Sequence, residues 1–195
     1  VDLRPVTTSG HPATGYLVTQ ESGPVDCGNG VDPGSGNFIK AMPSAVGIDD
    51  NILSCSPTSE NAIACWRAAA PSSVLCYFNP WTKRVVQIPV VRTAPSVRAT
   101  ARPQPIGIRL SDGASCSIEY NGTHNPLATD LSWVQTYGCN SDESVFAYGT
   151  TPGTYGDGLD TSTPLWTVQV AKASGAGPLH TLTVTTAYFL GTQGA

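Results

Sequence analysis

The chain has 195 residues, 40% of them apolar and only 12% charged, with a formal net charge of −4. That length suits one domain or two small ones, and four Trp, seven Tyr and four Phe supply enough core material to exclude wholesale disorder. No apolar run approaches the ~18 residues of a membrane helix. Lys83, Arg84, Arg92, Arg98 and Arg102 are dispersed among prolines, so the basic stripe that nucleic-acid binding requires is missing.

Residues 1–50 read as a loop-rich N-terminal segment packed on the core. The opening Val1-Asp2-Leu3-Arg4 lacks both an initiator Met and an apolar leader, as expected of a mature or trimmed chain. Gly30, Gly34 and Gly36 punctuate a loop after Cys27. No Gly-Lys-Ser/Thr follows them, so they do not form a phosphate loop.

Residues 51–92 form the first β half. Short strands are expected over 51–56, 61–67 and 73–79, with turns at 57–60 and 70–72. A further strand covers 85–91, where Pro89 removes a ladder donor and predicts an edge or a bulge. Residues 93–105 carry Pro95, Pro103 and Pro105 and read as a Pro/Arg-rich connection.

Residues 106–195 form the second β half, and the whole chain reads as one domain. Strands over 106–110 and 115–120 flank the turn Ser111-Asp112-Gly113, and Asn121-Gly122 marks another turn. Glu119 is expected to face solvent. The stretch 131–139 suits a strand or a short helix, with Trp133, Gln135, Tyr137 and Cys139 on one parity. Another strand covers 144–148. Trp166, Val168 and Val170 alternate with polar residues, as in a half-buried strand with Trp166 in the core. The last strand, 179–190, places Leu182, Val184, Thr186 and Tyr188 on one face. Only 43–52 and 127–137 leave room for a helix. The expected fold is mostly β: an antiparallel β-sandwich or two packed small sheets, stapled by disulfides, with few short helices.

Six cysteines, Cys27, Cys55, Cys65, Cys76, Cys116 and Cys139, show no Cys-x-x-Cys spacing, which argues against a zinc site. An even count in a chain rich in Ser, Thr and Gly points to disulfides and an oxidising, extracytoplasmic compartment. Cys116 and Cys139 stand alone in the second half and pair. Cys65 and Cys76 flank a turn symmetrically and pair across a hairpin, leaving Cys27 to Cys55. The alternative joins Cys55 to Cys76 and Cys27 to Cys65.

Motifs that carry chemistry are sparse. There is no Gly-x-Ser-x-Gly elbow, and His11, His124 and His180 are scattered. The loop 150–163 holds Tyr155, Asp157 and Asp160 among hydroxyls and glycines. Its oxygens resemble calcium ligands in type, but the spacing of a calcium loop is missing. No metal or cofactor is therefore expected, and a catalytic role is not favoured. Trp81, at a turn, is the exposed candidate for stacking on a sugar, with Tyr155, Asp157 and Asp160 as further ligand-binding candidates. Trp66, Trp133, Trp166, Tyr137 and Tyr148 complete the aromatic set. Asn121-Gly122-Thr123 matches a glycosylation acceptor.

The pattern Asn51-Ile52-x-x-Cys55, Ala64-Cys65, Cys76 resembles that of small exported actinobacterial proteins. The closing stretch 158–170, with Thr186-Ala187-Tyr188-Phe189-Leu190-Gly191, is similar to the C-terminal ends of mycobacterial envelope proteins. The resemblance spans about residues 50–192 and implies a secreted, envelope-associated protein. The functional expectation is a non-catalytic β protein binding a cell-envelope glycan or an envelope protein. The alternatives are a secreted hydrolase with an Asp/His site, and a structural module whose edge strand, at 85–91 or at the C-terminus, pairs with a partner.

Overall fold

The computed structural model describes residues 1–31, 38–39, 41–56, 62–92, 95–119, 125–149 and 156–194. Seventeen strands run through them, and no helix occurs among the described residues. The chain divides into two compact units, one built from Val1 and residues 105–188, the other from residues 2–104 and 189–195. No helix among the described residues is long and apolar enough to cross a membrane.

The first unit is a closed barrel. Its six staves are β10 (Gly107–Leu110), β11 (Ser115–Ile118), β13 (Asp130–Cys139), β14 (Glu143–Tyr148), β16 (Thr167–Lys172) and the first part of β17 (His180–Gln193). Each pairs antiparallel with the next, and β17 pairs with both β16 and β10. That last pairing closes the ring, so this unit is a barrel where a sandwich was expected. Closure leaves no bare edge, which is the physical advantage of a barrel over an open pair of sheets. Ile108, Leu110, Cys116, Tyr137, Val145, Val168 and Val170 fill the interior, with Leu182, Val184 and Ala187 around them. A barrel this narrow is filled by its own side chains. Two short strands, β12 (Pro126–Leu127) against β13 and β15 (Leu159–Asp160) against β16, extend it.

Two bulges overturn the simple parities. In β13 the register shifts between Gln135 and Tyr137. Trp133 and Gln135 therefore stand opposite Tyr148 and Phe146, whereas Tyr137 faces the interior opposite Val145. In β17 the register shifts against Arg109 and Leu110. Leu182 and Val184 face inward, and then Ala187 takes over in place of Thr186 and Tyr188. An extra residue in one strand reverses the alternation beyond it. The segment 127–137 holds no helix: Leu127 ends β12, residues 128–129 turn, and residues 130–137 lie in β13, whose backbone pairs with both β12 and β14. The segment 43–52 is a series of turns after β5 (Met42–Pro43). Trp166 is half-buried and not core: it precedes β16 at the barrel end, where its carbonyl accepts from the Val184 amide.

The second unit is an open sheet in the order β2 (Leu17–Gln20), β9 (Arg84–Pro89), β8 (Ser73–Cys76), β7 (Cys65–Arg67), β6 (Leu53–Ser54) and β5. A separate hairpin joins β3 (Gly30–Val31) to β4 (Phe38–Ile39). Val25, Leu53, Val74, Val86 and Ile88 form the core with the four cysteines Cys27, Cys55, Cys65 and Cys76. β1 (Asp2–Thr7) runs parallel to the end of β17 and pairs Leu3 with Leu190. On the other side, Val46 and Ile48 bond to Leu190.

The stretch at Pro89 is not an edge: β9 has β2 on one side and β8 on the other. Pro89 is tolerated because β2 stops at Gln20. The Glu21 and Val25 amides donate to the Gln87 and Pro89 carbonyls, so the missing donor faces the gap between them. β17 is likewise flanked over both of its parts, so neither strand offers the free edge that partner pairing would need.

Disulfides join Cys27 to Cys55, Cys65 to Cys76 and Cys116 to Cys139. The latter two span directly opposed residues of antiparallel strands. The alternative pairing is not formed.

Candidate functional site

Trp81 belongs to the open-sheet unit, in the turn before β9, and is half-buried. Its amide donates to Asn79 Oδ1 at 2.9 Å. Tyr155 lies outside the described residues, as do His124 and the Asn121-Gly122-Thr123 turn.

Asp157 and Asp160 belong to the barrel unit, where both shape loops. Asp157 Oδ1 accepts from the Leu159 amide at 3.2 Å, and its carbonyl accepts from Thr136 Oγ1 at 3.0 Å. Asp160 Oδ1 accepts from the Ser162 amide at 2.9 Å. Each is an aspartate bonding the backbone two residues on, the arrangement that favours Asp in turns. Asp26, Asp112 and Asp130 do the same toward Gly28, Ala114 and Ser132. Much of the chain's acidity is thus committed to its loops. Burial raises the Asp157 carboxyl above the usual carboxylate range, partly opposed by the Leu159 amide. The Ser162 hydroxyl and amide hold exposed Asp160 below that range. Among the described residues, no group of three or more His, Cys, Asp or Glu could hold a metal.

The remaining candidates of the hydrolytic reading are similarly dispersed. His180 is exposed and its Nε2 lies 3.6 Å from Glu143 Oε2. Glu119 is half-buried, not solvent-facing, and accepts from Gln135 Nε2 at 2.6 Å. The β13 bulge turns the buried Gln135 toward it.

Two surfaces are more organised. The first is on the outer wall of the barrel. Trp133 stands opposite Tyr148 across β13 and β14, with ring centroids 5.4 Å apart in an edge-to-face arrangement. Trp133 is half-buried, backed by Leu127, Phe146, Ala171 and Leu179. Tyr148 is 65% exposed and Leu131, two residues from Trp133, is 72% exposed. Trp133, Tyr148 and Leu131 are therefore the candidate contact surface of this unit.

The second is a cleft of about 600 Å³ in the open-sheet unit. Its floor is Trp66, 3% exposed, whose Nε1 donates to Thr192 Oγ1 at 2.9 Å. Asp49 Oδ2 receives the Thr192 amide at 2.7 Å and Arg4 Nη1 at 3.1 Å. Arg4 Nη1 also donates to the Thr192 carbonyl at 2.6 Å. A Cβ at Gly191 would stand 2.9 Å from Asp49 Oδ2 and press on the Arg4–Asp49 pair. These residues are too far apart in sequence for any local pattern to have linked them. The nearest available signal was the polar triplet Asp49-Asp50-Asn51 between apolar segments.

No protein-family model, curated protein or solved structure matches this chain.

Proposed function

We propose that this chain is an exported, non-catalytic β protein of an actinobacterial type of cell envelope, and that it binds an envelope glycan through the outer wall of its barrel. The observation that carries the reading is the Trp133–Tyr148 pair, rigid on one side and open on the other. A sugar ring presents apolar C–H faces that pack on such rings, and an aromatic pair held by its own core needs no reordering on binding. Three disulfides support an extracytoplasmic setting. In this reading the stacking site is the paired rings of Trp133 and Tyr148 rather than Trp81.

The test is co-sedimentation of the oxidised protein with purified mycobacterial cell-wall material. Saturable pelleting is expected, weakened about fivefold by Tyr148→Ala through loss of about 1 kcal/mol of ring contact, and unaffected by Trp81→Ala. Equal pelleting of the wild type and Tyr148→Ala refutes the site. No pelleting at all refutes the glycan and leaves an envelope protein as the partner to seek.

A further inference from the structure

The cleft of the open-sheet unit has its own chemistry, independent of the barrel wall. Arg4 is held there between two carboxylates, Asp49 Oδ2 at 3.1 Å and Asp2 Oδ2 at 3.2 Å, so it is not free to grip a ligand. The wall 49–51 is fixed from behind. Asp50 Oδ1 accepts from the Ala99 amide at 2.8 Å; the Asn51 amide donates to the Val97 carbonyl at 2.9 Å, and Asn51 Oδ1 accepts from the Val97 amide at 3.3 Å. Asn51 has φ of 65° and is the one non-glycine residue with positive φ among the described residues. Asn tolerates this conformation better than most residues, and its occurrence in a cleft wall is a position held by its surroundings.

These bonds leave a defined set of groups for a ligand. Arg67 is exposed and lines the cleft, and its guanidinium makes no hydrogen bond or ion pair with another described residue. The Thr8 hydroxyl and the second oxygen of Asp50 also line it without a partner among the described residues. Asn51 lines the cleft too, and its Nδ2 has no hydrogen-bond partner among the described residues. A guanidinium presents a planar fork matched to a carboxylate or a phosphate. A carboxylate, a hydroxyl and an amide suit the hydroxyls of a sugar. The structure assigns this cleft, we infer, to an acidic sugar: a hydroxylated ring bearing a carboxylate or phosphate that Arg67 grips while Asp50, Asn51 and Thr8 take its hydroxyls. The floor is preorganised by the Arg4–Asp49–Thr192–Trp66 network, so binding orders little protein.

The experiment is NMR titration of the full, oxidised chain, following the Trp66 indole N–H and the Asn51 side-chain amide. The probes are glucuronate, glucose 6-phosphate, glucose and inorganic phosphate. Saturable shifts are expected with glucuronate or glucose 6-phosphate, and which of the two is tighter identifies the acidic group. Glucose and inorganic phosphate should each bind at least tenfold more weakly. Arg67→Gln should weaken the acidic sugar at least tenfold, Arg67→Lys should recover part of the loss, and Tyr148→Ala should change nothing. The proposal is overturned if neither acidic sugar shifts these signals, if inorganic phosphate alone binds as well as glucose 6-phosphate, or if Arg67→Gln binds normally. Since Tyr148→Ala addresses the barrel wall alone, failure of one site is distinguishable from failure of the other.

Discussion

Trp66→Phe tests how firmly the end of β17 is held in the open-sheet unit. The indole N–H bonds to Thr192 Oγ1 at 2.9 Å across a sequence separation of 126. Phe keeps the aromatic packing and deletes the donor. A neutral hydrogen bond of this kind contributes about 1 kcal/mol. Removing roughly 40 Å³ of buried side chain, at about 24 cal/mol per Å³ of cavity, costs about 1 kcal/mol more. The two contributions separate experimentally. Local detachment of 189–193 from β1 and from the 46–49 segment breaks the hydrogen bond without emptying the Trp66 site, so it registers only the first. Amide exchange reads that opening at Leu190, bonded to the Val46 carbonyl, and at Thr192, bonded to Asp49 Oδ2. Both should exchange about fivefold faster in Trp66→Phe, as 1 kcal/mol requires. Val145 and Val170 in the barrel should not change. Urea unfolding of the same unit should lose about 2 kcal/mol, the sum of both contributions. Thr192→Val removes the acceptor and should accelerate the same amides. The double variant should then add almost nothing, leaving a coupling near 1 kcal/mol. Strictly additive effects, or unchanged exchange at Leu190 and Thr192, would refute the argument that this bond anchors the strand.

Two further outcomes follow from the barrel. Asp157 has its carboxyl raised by burial, so the folded state holds the proton to higher pH than the unfolded chain. Stability contributed by this group therefore falls as pH rises from the ordinary carboxylate range, and the loss is complete above the raised value. Asp157→Asn keeps an acceptor for the Leu159 amide and should raise the urea midpoint at about pH 7 while matching the wild type at about pH 3; a lower midpoint at neutral pH would contradict burial as the cause. Phe146→Ala should cost about 3–5 kcal/mol and loosen the support beneath Trp133, seen as lower urea stability together with a weakened near-ultraviolet aromatic signal; unchanged stability would mean that the outer cluster is not a core.

Much of the β character was legible because strands print their burial into the sequence with a period of two. Trp166, Val168 and Val170 marked the strand that became β16, and the alternation around Leu182 and Val184 marked β17. The symmetric placement of Cys65 and Cys76 about a turn put them opposite each other for a local reason, hairpin geometry, which is also where the structure pairs them. Glycine and proline punctuation located the main connections.

What local pattern could not contain was decided by residues far apart in sequence. Closure of the barrel depends on β17 finding both β10 and β16, a matter of which strands meet and not of what any one prefers. The bulges in β13 and β17 each insert a residue and reverse the faces beyond it, so Tyr137 and Ala187 face the interior while Trp133 and Tyr188 do not. A helix at 127–137 was admissible by composition alone; pairing on both sides made 130–137 a strand. Asp157 and Asp160 read as ligand groups because their oxygens are visible in sequence, whereas the amides that occupy those oxygens appear only in folded turns. The cleft depends most on tertiary structure of all. Arg4, the 49–51 wall, Trp66 and Arg67, and Thr192 come from four separate stretches. Composition and alternation determined that this chain would be a disulfide-bonded β protein; long-range strand pairing alone determined which polar groups would face one another, because hydrogen-bond geometry is satisfied between neighbours in space.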